Sequence, residues 1–242
     1  MNTSVITQLL GEFFGTAILV LLGDGVVAGV NLKKSKSNGA GWLTVTLGWG
    51  LAVTFGVYMV SWMSPGHLNP AVTLAMAIAG KFDWALVLPY AIAQILGAIV
   101  GAVLVWLTYF PHWAETDDKD AILGSFSTEP AIRSYWANFF SELVGTFILA
   151  YGLLALSKNS FAGGLNPIAA GLLIAVIGIS LGGPTGYAIN PARDLGPRIA
   201  HQFLPIANKG GSDWAYSWVP VFGPLAGGIV AALLFNVVSI MS

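Results

Sequence analysis

Gly66-His67-Leu68-Asn69-Pro70-Ala71-Val72-Thr73 and Gly186-Tyr187-Ala188-Ile189-Asn190-Pro191-Ala192-Arg193-Asp194 share one tripeptide, Asn-Pro-Ala. Asn caps a helix N-terminus well, and Pro suits the first helical position, where no N–H is needed. Each tripeptide therefore reads as a helix start. The stretches that follow, 69–80 and 191–203, are too short to cross a bilayer, which takes about 20 apolar residues. Each is entered through a Gly- and Pro-containing run, Pro65-Gly66-His67 and Gly182-Gly183-Pro184-Thr185-Gly186. That is the sequence form of a re-entrant half-helix. Irregular backbone at membrane depth survives only where protein buries it or it lines a watery cavity, so both runs point to a pore.

Around them lie six segments of spanning length, near 8–30, 41–62, 85–109, 134–157, 167–183 and 216–238, with no Lys or Arg in their interiors. Of the 242 residues, 56% are hydrophobic and 9% charged, whereas a soluble domain carries about a quarter charged residues. Most of the surface must face lipid. Glycines such as Gly23, Gly97, Gly101, Gly171 and Gly227 read as positions where helix backbones approach closely. A net charge of −1 offers no footprint for nucleic acid, and the absence of Cys excludes disulfides and thiolate metal sites. His67, His112 and His201 are too scattered for a metal cluster, so no metal or cofactor is expected. Residues 1–10 contain no basic region, so no cleavable signal peptide is expected.

The chain repeats. Glu12 and Glu142, Gly15-Thr16 and Gly145-Thr146, and Gly97 and Gly227 each lie 130 positions apart, the tripeptides 121. The first repeat covers about 8–109 and the second about 134–238. An acidic loop at about 110–133 joins them, and its run Glu115-Thr116-Asp117-Asp118 reads as solvated. Three spans per repeat put the second half upside down. The expectation is one all-α membrane domain over 1–242, with six transmembrane helices and two half-helices in an inverted repeat. Such repeats place a site near the midplane with half-helix N-termini pointing at it.

Two facing helix N-termini repel cations. If Asn69 and Asn190 cap their own helices through the side-chain oxygen, their amide NH2 groups stay free to hold a passing water or alcohol. A proton relay would break there. Carbonyls of Gly66, His67 and Leu68, with Ala188 in the second run, would line the wall as acceptors. Arg193 is costly at membrane depth and reads as a donor to solute hydroxyls, with an ion pair to Asp194 as the bland alternative. Asp194 and Arg198 read as anchors. Trp42, Trp62, Trp84, Trp113 and Trp214 suit interfacial belts. No nucleophile, base and orienting group assemble, so an enzyme is not expected.

The two boxes on an inverted repeat, matched from Gly11-Glu12-Phe13 to about Phe235, resemble the major intrinsic protein (aquaporin) family. Asp194 after the arginine, Pro220-Val221, and the extended loop at 207–214 resemble its glycerol-facilitator branch, the aquaglyceroporins. The resemblance implies a passive channel for glycerol and other small neutral solutes such as water, urea and dihydroxyacetone. It implies a filter of Trp49, Gly178, Tyr187 and Arg193, in which two aromatic faces hold the CH edge of a polyol and Gly178 leaves room. Tyr187 departs from the usual phenylalanine and makes the filter more polar. Glu12 and Glu142 become braces for the extended runs, with a proton relay as the rival. The resemblance further implies a homotetramer with one pore per protomer, in the plasma membrane, with both termini cytoplasmic. That sidedness leaves Lys81 and Lys158 inside against Lys33, Lys34, Lys36, Lys119, Arg133 and Lys209 outside, opposite to the positive-inside tendency.

Two other readings stay open. Protonated lactic acid shares glycerol's size and hydroxyl pattern, and a narrower filter would pass chiefly water. A coupled secondary transporter also uses inverted repeats with broken helices. Against it stands the lack of an intramembrane acid opposite a basic partner, apart from the neighbours Asp194 and Arg193.

Overall fold

The computed structural model describes residues 3–241; Met1, Asn2 and Ser242, and with the first two the start of the N-terminal stretch read for a signal peptide, lie outside it. Its described residues form ten α-helices and no strand. In chain order they are α1 Val5–Asn31, α2 Trp42–Val60, α3 Pro70–Ile78, α4 Val87–Thr108, α5 Phe110–Glu115, α6 Lys119–Gly124, α7 Tyr135–Leu156, α8 Asn166–Leu181, α9 Pro191–Phe203 and α10 Val219–Met241. Five are long and apolar enough to cross a membrane: α1, α2, α4 with the 3-10 turn Trp84–Leu86 before it, α7 and α10. The sixth expected span, α8, has only 16 residues. At about 1.5 Å per residue it falls short of a hydrocarbon core of about 30 Å. Pro167 fixes its start, and Gly182-Gly183-Pro184 ends it. The other boundaries fall within a helical turn of expectation.

Charged and polar groups are buried among an apolar core, and the outward faces of the long helices are apolar too. Glu12, Asp24, Gln94, Asp194, Arg198 and His201 are fully buried, whereas Leu47, Leu51, Phe55, Leu88, Ile92 and Leu96 are exposed. Hydrocarbon surroundings demand this arrangement. Long helices close on each other through glycine. A Cβ on Gly97 of α4 would strike the Phe13 carbonyl of α1, and one on Gly227 of α10 would strike the Leu143 carbonyl of α7. Both members of the second contact lie 130 positions beyond those of the first. Across the halves, a Cβ on Gly50 of α2 would come within 2.6 Å of the Gly171 carbonyl of α8. The half-helices exchange partners: α3 packs on α10, where Gly228 meets Ala71, and α9 packs on α4, where Gly196 meets Ala98.

The 110–133 connection is more than the loop expected from the sequence. It holds α5 and α6, and Trp113, Ile122, Leu123 and Phe126 are buried beneath them. Glu115, Asp117 and Asp118 are solvated, with Lys33 paired to Asp117 at 3.4 Å and Lys34 to Glu115 at 2.6 Å, while Thr116 between them is buried. Trp113 does not join an interfacial belt. Its ring packs on Phe126, and its indole N–H donates to the Trp106 carbonyl at 2.9 Å. Trp42, Trp62, Trp84 and Trp214 are exposed. The 207–214 loop is tied down by Asn208, whose amide donates to the Trp113, Ala114 and Thr116 carbonyls, and by Lys209, which caps the last carbonyls of α9.

Candidate pore and its constriction

Asn69 and Asn190 cap α3 and α9. The Oδ1 of Asn69 accepts from Ala71 N at 2.9 Å and Val72 N at 3.5 Å; that of Asn190 accepts from Ala192 N at 3.0 Å and Arg193 N at 3.3 Å. Neither NH2 group is wholly free, contrary to the expectation from the sequence. Asn69 Nδ2 donates to the Ile189 carbonyl and Asn190 Nδ2 to the Leu68 carbonyl, each at 2.8 Å. The two half-helix starts are thus latched to each other reciprocally. An amide NH2 carries two protons, so each keeps one donor for the cavity. Leu68, expected as an open acceptor, already serves Asn190 and has one lone pair to spare.

Two buried acids shape the extended runs. Glu12 accepts from His67 N at 3.0 Å, Leu68 N at 2.7 Å, Ser64 Oγ at 2.9 Å and Gln94 Nε2 at 2.8 Å. Glu142 accepts from Ala188 N at 2.9 Å, Ile189 N at 2.8 Å and Thr185 Oγ1 at 2.7 Å. With its N–H groups drawn to a glutamate on one side, each run turns its carbonyls to the other, the cavity side. Leu68, Tyr187 and Ile189 have φ of 50°, 40° and 43°, a left-handed conformation that non-glycine residues keep only when their surroundings hold it. The His67 ring leaves the wall: its Nδ1 lies 3.2 Å from Thr73 Oγ1, and it packs edgewise on Phe82.

Two cavities meet at one constriction. The first, about 270 Å³, runs from Ser157 and Asn166 past Gly66, His67, Leu68, Ala188 and both asparagines. The second, about 310 Å³, opens among the 27–45 and 124–129 segments. They share three lining residues: Trp49, Tyr187 and Arg193. The Arg193 guanidinium lies 4.2 Å from the centre of the Trp49 ring, a cation–π contact. Gly178, expected beside them, lines neither cavity. The Tyr187 ring fills the space over it, and a Cβ there would come within 2.5 Å of Cζ. Arg193 does not pair with Asp194. Asp194 instead accepts from Arg198 Nε at 2.9 Å, Thr128 N at 2.8 Å and Thr128 Oγ1 at 2.6 Å, clasping the 125–130 segment to α9.

Four contributors escape the sequence reading. Trp42, read as a belt residue, donates its indole N–H to the Gly178 carbonyl at 3.0 Å and meets the Tyr187 ring edge-on. Gly23, read as a packing glycine, seats Trp49: a Cβ there would strike the indole. Glu129 lines the second cavity, and burial, with Asp120 and Asp213 adding to it, pushes its carboxyl from 4.5 up to about 7. Asp24, on α1, lies 3.6 Å from Arg193 and places an intramembrane acid opposite a base. The available signal for Asp24 was its charge within an apolar span.

Two cavities that share one neck of Trp49, Tyr187 and Arg193, with amide donors and backbone carbonyls along the first, have the makings of a membrane channel. The whole-chain comparisons agree: residues 1–235 match the Major intrinsic protein family, and the chain belongs to it. It is 66% identical to Glycerol uptake facilitator protein 3 of Lactiplantibacillus plantarum over 98% of this chain and 99% of that one. It is 56% identical to the glycerol uptake facilitator protein of Bacillus subtilis, over 95% and 84% respectively. The X-ray structure of the aquaglyceroporin from Plasmodium falciparum superposes with a TM-score of 0.85 at 33% identity, covering 96% of each chain.

Proposed function

We propose that the protein conducts glycerol passively through this pore, with water and other small neutral solutes of similar width, and performs no catalysis. The observation that carries the reading is the shared neck. Trp49 and Tyr187 present apolar faces to the CH edge of a polyol while Arg193 donates to its hydroxyls. Below it, the spare protons of Asn69 and Asn190 and the carbonyls of Gly66, His67 and Ala188 replace hydration in steps. The names of the relatives support glycerol as the solute. Glu12, Glu142 and Asp194 serve as braces. Four copies in the plasma membrane, each with its own pore and with cytoplasmic termini, complete the proposal.

Stopped-flow light scattering on proteoliposomes tests it. Glycerol re-swelling well above empty vesicles, linear in concentration and indifferent to collapse of proton and sodium gradients, is the expected result. Dependence on a gradient would instead favour coupled transport, for which the Asp24–Arg193 pair is the relevant observation. Flux of lactic acid that climbs as pH falls toward its pKa would assign the protonated acid to the same pore.

A further inference from the structure

We propose that Asp24 is the counter-ion of the constriction: its carboxylate cancels the charge of Arg193, so the neck presents hydrogen-bond donors with no net charge. The inference rests on the reading of Trp49, Tyr187 and Arg193 as the filter.

The acids buried in the helical core fall into two kinds. Glu12, Glu142 and Asp194 each accept several hydrogen bonds from backbone or side-chain donors. Asp24 is fully buried, yet among the described residues neither carboxylate oxygen has a hydrogen-bond partner. What faces it is charge: Arg193 NH1 lies 3.6 Å from its Oδ1. Next along is Asp194, whose own carboxylate is engaged by Arg198 at 2.9 Å. The four charges therefore resolve into two pairs, one structural and one at the neck. Arg198 is consumed by Asp194 and the carbonyls of Thr128, Ser212 and Asp213. Among the described residues the Arg193 guanidinium, by contrast, has only the Phe126 carbonyl at 3.5 Å besides Trp49 and Asp24, which leaves protons for solute.

Asp24 lines neither cavity, so it acts through Arg193 and is a positioning residue. The same turn of α1 does both tasks, since Gly23 seats the Trp49 ring and Asp24 faces the cation stacked on that ring. A lone guanidinium in a narrow apolar neck would be an anion site, because fields focus in low-dielectric clefts. An anion resting there would obstruct the polyol. Pairing the cation removes that attraction and keeps the donors.

The test measures glycerol entry in proteoliposomes with gluconate, too large for the neck, exchanged for thiocyanate, a small weakly hydrated anion. Wild type is expected to conduct equally in both. D24N is expected to slow by roughly three- to tenfold in thiocyanate, a rate change of about one power of ten at most. The double variant D24N/R193Q should lose that sensitivity, which a merely structural defect at Asp24 would not do. Thiocyanate inhibition of wild type, or a conducting D24N as indifferent as wild type, overturns the proposal. Should D24N fail to fold, D24S, smaller and equally neutral, takes its place in the same comparison, and thiocyanate inhibition of wild type still overturns the proposal. Should wild type pass no glycerol, the functional reading fails separately, and water flux through the same neck reads the anion effect.

Discussion

Tyr187 reaches the neck with a buried hydroxyl that has no hydrogen-bond partner among the described residues. An unpaired buried polar group costs about 1–3 kcal/mol. Tyr187→Phe should therefore raise the thermal midpoint of the purified protein while glycerol flux is kept or increased; a fall in both would mean the hydroxyl is engaged by solute or water. Gly178→Ala pushes the other way. Its methyl displaces the Tyr187 ring toward the cavity, and glycerol entry should drop by roughly tenfold or more, about 1.4 kcal/mol of barrier, with water less affected. Arg193→Ala should widen the passage and admit larger solutes, read as a changed ratio of glycerol to larger-polyol rates. At this scale the caps were legible, because Asn-Pro at a helix start is a local signal. The acceptors of Asn69 and Asn190 were not, since each lies in the other half of the chain. Gly178 was legible as a place where size matters, but what fills the space is a ring contributed nine residues later, and only packing reveals that.

The half-helices hold their shape through the elements beneath them. Glu142 of α7 satisfies Ala188 N, Ile189 N and Thr185 Oγ1. Glu142→Ala should leave these donors orphaned, at about 1–3 kcal/mol each, and the variant should lose both thermal stability and flux. Glu142→Gln keeps an acceptor and should fall between, measured by the same melting and flux assays. Long helices were readable because twenty-residue apolar runs admit few other structures in a membrane. Helices α5 and α6, six residues each, were not: their formation depends on Trp113, Ile122 and Phe126 finding a site under the connection rather than on any period in the sequence. The same burial took Trp113 out of the expected belt.

At the scale of the whole molecule, segments far apart in sequence bring Asp120, Asp213, Arg198 and Arg133 within electrostatic reach of Glu129. Its carboxyl is raised from 4.5 to about 7, so the folded state holds the proton more tightly than the unfolded chain. That contribution is complete below the unfolded value and is lost as pH climbs through about 7. Glu129→Gln should thus stabilise the protein at about pH 8 relative to wild type and do little at about pH 4, where both side chains are neutral. Melting curves across that range check the sign. The inverted pairing of halves was legible from the 130-residue offset. The exchange of half-helices, α3 onto α10 and α9 onto α4, was not, because nothing in a linear repeat says which copy a segment packs against.

The reciprocal latch between Asn69 and Ile189, and between Asn190 and Leu68, also sets a timetable. A ribosome adding about 5–20 residues per second needs roughly 6–24 s to travel from one asparagine to the other. Throughout that interval Asn69 waits in the membrane beside a carbonyl, Leu68, whose eventual donor has not been made. The first half can insert its long helices early, but its share of the pore stays provisional. A closed conduit is therefore among the last things the nascent protein acquires, and a chain cut short before Asn190 would leave a polar defect rather than half a channel.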